Sequence, residues 1–173
     1  MSSRFARMAI LIVWTWLAQT GARAQDGKSA QGTPPETDPR VRRALQEAAL
    51  AFEVNAQGNA VLDFEFADQR RHRVFIRSGT QTWGGLEIRE VAAYAYKGPV
   101  RPGPDMLEKL LKENARKKLG AWELWEEGGV YDVVFVARIP ASADAMALGT
   151  VARGVAADAD NMEKALNGGD DDL

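Results

Sequence analysis

The stretch "AWELWEEGGVYDVVFVARIP", Ala121 to Pro140, decides the fold. Two runs of strand-forming residues flank Gly128-Gly129, a pair suited to a tight hairpin turn. In the first run Trp122 and Trp125 fall on opposite faces, so one layer cannot bury both. The second run, Val130 to Ile139, is apolar on both faces except at Asp132 and Arg138, which predicts a central strand covered on both sides. Pro140 stops it, Ser142 or Asp144 caps a last helix, and Gly168-Gly169 closes that helix.

Working back towards the N-terminus, Asp105 opens a helix running to about Lys118, with Leu107, Leu110, Leu111 and Ala115 on one face. Before it lies "LEIREVAAYAYKG", a long strand whose alternation slips at Glu90 and predicts a β-bulge or a strand end there. Gly79 to Gly85 is predicted as a loop around Trp83. "HRVFIR" and "VLDFEF" alternate apolar with charged residues, and "AFEV" precedes them across a turn at Gly58-Asn59. Thr37 or Asp38 caps a first helix with Pro39 in its first turn and Val41, Leu45, Ala48 and Phe52 at helical spacing. The order is helix, three or four strands, helix, hairpin, helix. Strands joined by tight turns with three helices make an α+β domain built on an antiparallel sheet.

The N-terminus carries processing signals. Arg4 and Arg7 precede the apolar run "MAILIVWTWLA", and Ala22-Arg23-Ala24 matches the small-x-small pattern of signal peptidase sites. The run is shorter than the roughly 20 residues a membrane span needs. Residues 1–24 are therefore expected to be a cleaved Sec-type signal, which places the mature chain in the periplasm or outside the cell with no stable membrane anchor. Residues 25–37 are expected to be a flexible linker, 38–167 the domain, and 168–173 an acidic tail.

The chain has 22 basic and 24 acidic residues. Cleavage removes Arg4, Arg7 and Arg23 and no acid, which argues against nucleic acid or an anionic surface as partner. There is no cysteine. That excludes thiol catalysis, Cys-ligated metals and disulfides together, and leaves packing alone to hold the domain.

Little else offers chemistry. His72 is the single histidine and has no neighbouring carboxylate in the sequence to orient it. Ser29, Ser78 and Ser142 sit in no nucleophile motif. "DADNMEKALNGGDDD" fails as a calcium loop, since neither register supplies the required Gly and bidentate Glu. We expect no catalytic residue, no metal ligand and no cofactor.

The last helix has an apolar seam of Leu148, Val151, Val155, Ala159, Met162 and Leu166. Asp160 is expected to point far from it, with Asp158 and Glu163 at its edges. These acids oppose the helix dipole, so they either form a solvated face or meet basic partners such as Arg70, Arg71 or Lys117. Asn114 falls on the apolar stripe of the second helix. It either lies at the stripe's edge in solvent or bonds a backbone edge or neighbouring strand. Trp83, Trp122 and Trp125 are the candidate binding residues, any exposed one marking a contact surface.

Three segments resemble the YbjN-domain family, whose fold is similar to type III secretion chaperones. They are "LLKENARKKLGAWELWEEGGVYDVVFVARIP" with Asn114 between helix and hairpin, the helix after "IP", and "ADNMEKAL" with Asp160 and Glu163 as the family's acidic signature. The resemblance covers roughly residues 38–173. It implies a small α+β domain, dimeric, that binds protein or peptide and catalyses nothing. A secretion chaperone works in the cytoplasm, whereas this chain is expected to be exported. Two other readings are a hydrolase using Asp63, Glu65, Asp158 and Glu163, and a self-associating protein packing through Ala147, Thr150 and Gly154 on a second face of the last helix.

Overall fold

A computed structural model describes residues 36–167. The expected signal sequence (residues 1–24), most of the expected linker (25–35), Gly168-Gly169 and the expected acidic tail lie outside the described residues. The elements run α1 (Pro39–Glu47), β1 (Glu53–Val54), β2 (Ala60–Glu65), β3 (Arg71–Trp83), β4 (Leu86–Gly98), α2 (Pro104–Asn114), β5 (Ala121–Glu127), β6 (Val130–Pro140) and α3 (Ala145–Asn167). All six strands form one antiparallel sheet in the order β1-β2-β3-β4-β6-β5. The α+β class and the antiparallel sheet with three helices are as the sequence predicts.

α1 and α3 begin where the capping chemistry puts them. Asp38 accepts the Arg40 backbone N–H at 2.8 Å with Pro39 behind it, and Asp144 accepts that of Ala147 at 2.8 Å. α1 stops a turn early, at Ala49, whose φ of 52° allows Leu50 N–H to donate back to Leu45. Order also begins inside the predicted linker. Thr37 is buried, with its hydroxyl 3.0 Å from that of Ser78.

α3 packs across β3, β4 and β6, and α1 packs on α3. Val41 and Leu45 of α1, Val74 and Ile76 of β3, Val91 and Ala93 of β4, and Val133 and Phe135 of β6 meet the α3 seam in one core. Each fully buried Val, Leu or Ile contributes about 1.5–3 kcal/mol, so this layer supplies the stability that a chain without disulfides requires.

Four details differ from expectation. Gly79–Gly85 is mostly strand: β3 continues to Trp83, and Gly84-Gly85 alone turn the chain, with φ of 55° and 85°. The irregularity expected at Glu90 lies opposite it, in β3 between Ile76 and Thr80, with a second between Tyr94 and Tyr96. Glu90 needs no bulge of its own because it sits on the sheet face away from the helices. α2 ends at Asn114, and Leu111 stays 70% exposed.

The last difference concerns β6, which among the described residues has a helical layer on one face only. On the other, Val134 and Val136 are buried beside Ala92, with Tyr94 and Trp125 packed against them. Aromatic side chains from neighbouring strands do the covering that a second layer was expected to do.

Candidate functional site

β5 forms one edge of the sheet, and Asn114 of α2 hydrogen-bonds to it. Asn114 Oδ1 accepts Trp122 N–H at 2.6 Å, and its Nδ2 donates to Trp122 C=O at 3.2 Å. The amide thus pairs with the strand as another strand's peptide group would, and of the two readings of Asn114 the structure selects the backbone edge. Trp122 is opposite Phe135, so its outward-facing backbone makes this a pair without direct ladder bonds. By the same alternation the backbones of Leu124 and Glu126 face outward. Among the described residues neither has a hydrogen-bond partner on that side. Glu126 and Glu127 are exposed and make no ion pair among the described residues.

Local sequence builds this edge. Gly120 precedes β5 with φ of 81°, and a Cβ there would lie 2.7 Å from Val136 O and 3.0 Å from the Phe135 ring. Only glycine brings the chain round so close to β6, and it sets Trp122 opposite Asn114.

The three tryptophans have separate fates. Trp122 is buried on the helix side, its ring centroid 5.0 Å from that of Phe135, so it offers no contact surface. Trp83 stands at the β3–β4 hairpin tip, 75% exposed, opposite the exposed Leu86. Trp125 is half-buried on the open sheet face, edge-on to Tyr94 at 6.1 Å, and Tyr94 is edge-on to Phe75 at 5.6 Å. Cations cover these rings: Arg77 lies 5.6 Å from Trp125 and Lys97 5.5 Å from Tyr94. Arg77 and Arg138 both reach Glu90, and Lys97 reaches Asp132. The open face is therefore sealed by its own paired side chains and presents no broad apolar patch.

The helix side holds a cluster of buried titratable residues. Arg70 Nε donates to Asp160 Oδ1 and Arg70 Nη2 to Glu163 Oε2, both at 2.7 Å. Lys164 bridges Asp160 and Asp68 at 2.7 Å each. His72 Nε2 lies 2.8 Å from Tyr94 O, and Nδ1 faces Glu163 Oε2 at 3.5 Å with no hydrogen-bond partner. A carbonyl only accepts, so Nε2 carries the proton. Burial pushes the Asp160 carboxyl up, but hydrogen bonds from Lys164 and Arg70 outweigh it and leave the group below the usual carboxylate range.

Asp160 and Glu163 are thus fully buried, not turned away from the seam or lying at its edge. The turn between β2 and β3 wraps over α3 and brings Arg70 to them. Of the basic partners named from sequence, Arg70 meets Asp160 and Glu163, Lys117 meets Asp158 at 2.6 Å, and Arg71 pairs with Glu65. His72, Asp160 and Glu163 offer ligand atoms within 4.8 Å of one another. Arg70 bridges the same two carboxylates, so they are held as a buried, internally paired ion cluster.

The carboxylates considered for hydrolysis are not assembled. Asp63 and Glu65 pair with Arg73 and Arg71 on the open sheet face, while Asp158 and Glu163 belong to α3 behind the sheet. Sequence reading overlooked Arg89, which is 2% exposed and ties Asp38 at 2.6 Å to the backbone of the β3 bulge. Its only local signal is an arginine on the inward register of a strand. Comparison with protein-family models and with curated proteins finds no match.

Proposed function

We propose that the chain is an exported, non-enzymatic module that binds an extended protein or peptide segment along the β5 edge. One observation carries this reading. The outward backbone groups of Leu124 and Glu126 are open beside a position, Trp122, where Asn114 already imitates a paired strand. Strand addition needs such open groups and no catalytic residue. Leu124 on the helix side and Trp125 on the other favour apolar side chains in the segment. The exposed Glu126 and Glu127 favour Lys or Arg where it ends.

The element order and a helix layer on one sheet face support kinship with YbjN domains and a type III secretion chaperone-like fold. The N-terminal signal supports a periplasmic or secreted site of action. A homodimer is a second arrangement that an open edge permits.

A displayed library of extended peptides tests the reading. The purified protein should enrich sequences of alternating apolar residues ending in Lys or Arg. Leu124→Pro removes one outward N–H while the ladder to β6 stays intact. It should weaken enriched peptides at least about tenfold, a loss of about 1.4 kcal/mol. Equal binding by a Leu124→Pro variant with an unchanged circular dichroism spectrum would refute the edge as the site.

A further inference from the structure

Beside α3 lies a cavity of about 360 Å³ that the β5 edge does not involve. It is lined by Phe135 and Ala137 of β6 and by Val151 and Val155 of α3, all buried in the core, and by Leu119, Thr150 and Gly154, which are exposed at its open side. That size falls in the about 300–1,000 Å³ range of small-molecule sites, and the walls are almost wholly apolar.

Two features are unexplained by folding alone. Gly154 sits inside the 23-residue α3 and opens onto this cavity. Its φ is not positive, and a Cβ there would meet nothing within 4 Å. Glycine is a poorer helix residue than alanine, so the fold gains nothing from it. Gly149, by contrast, lies against Leu50 and Arg153. Leu119 is 55% exposed, an apolar side chain held over the cavity and half out of it.

The charges at the mouth select the ligand. Lys118 lines the cavity and makes no ion pair among the described residues. Asp158 lines it too, but Lys117 neutralises it at 2.6 Å, and Lys117 Nζ stands 5.7 Å from the Phe135 ring. The lining is therefore apolar within and positive at the rim. We propose that this groove binds a single-chain acyl anion, with the chain along Leu119 and Gly154 and the head group at Lys118. The site is separate from the β5 edge and does not rest on peptide binding.

The probes are laurate below its micelle concentration, dodecanol, and dodecyltrimethylammonium, each titrated into the full chain and followed by calorimetry. Laurate should bind with one site per chain, at least about tenfold tighter than the neutral or cationic probe. Gly154→Phe, at a position with open space around it, should abolish binding. Lys118→Glu should weaken laurate about tenfold or more and narrow its preference over the cationic probe. Comparable binding of all three probes would overturn the proposal, as would laurate binding unchanged by Gly154→Phe in the folded variant. A change of mass in solution on Gly154→Phe, without laurate binding by the parent chain, would assign the groove to a second copy instead. The Leu124→Pro variant should bind laurate as the parent does, so failure of either site is read independently.

Discussion

At the scale of single residues, the buried charges are the sharpest feature. Arg70 is 6% exposed and joins Asp160 and Glu163, acids 90 and 93 residues further along the chain. Removing its charge would leave two carboxylates buried with less compensation. Arg70→Ala should therefore cost about 3–5 kcal/mol, read from the urea midpoint, and more than replacing all three residues together with apolar ones of similar volume. Equal costs for the single and triple variants would show that the buried carboxylates are compensated without Arg70. Basic partners were one of two options the sequence left open beside a solvated face, because acids late in a helix oppose its dipole. The burial was not legible, because it depends on a turn from another part of the chain folding over α3.

At the scale of elements, α2 and β5 are joined through Asn114. Its side chain satisfies both outward groups of Trp122, so Asn114→Ala should leave them unpaired in a partly buried place. The expected cost is about 1–3 kcal/mol. Hydrogen exchange should show early opening of β5 relative to β4, and uniform exchange across the sheet would refute a local role. This contact was foreseen as one of two options, since a polar amide on an apolar stripe demands partners. The extended β3 was not foreseen. Its "SGTQTW" looks like a loop by composition, and only pairing with β4 and a bulge past Ile76 make it strand.

At the scale of the whole molecule, the ion pairs set the response to acid. Arg40 holds the Asp38 carboxyl well below the usual range, burial opposing and Arg89 adding to it. Glu87 is lowered to about 2, chiefly by Arg40 and then by Thr80. With Asp160 also depressed, these groups bind protons more readily in the unfolded chain. Their contribution is complete above the ordinary carboxylate range of about 4 and is lost as pH falls through the lower folded values. Thermal stability should therefore hold from pH 7 to 5 and decline below about 4. Asp160→Asn should make that decline shallower. An unchanged slope in that variant would remove Asp160 from the acid response.

The local pattern of residues was enough for the α+β class, the order of elements, the helix starts and the opposite faces of Trp122 and Trp125. Caps, turns and side-chain periodicity act over a few residues, and that range is written directly in the chain. The tertiary structure alone decided three things. Among the described residues, helices cover one sheet face only, Arg70 rather than solvent meets Asp160 and Glu163, and the outward backbone of β5 stays open beyond Asn114. Each depends on contacts between segments far apart in sequence, where burial and pairing override what any short window of residues prefers.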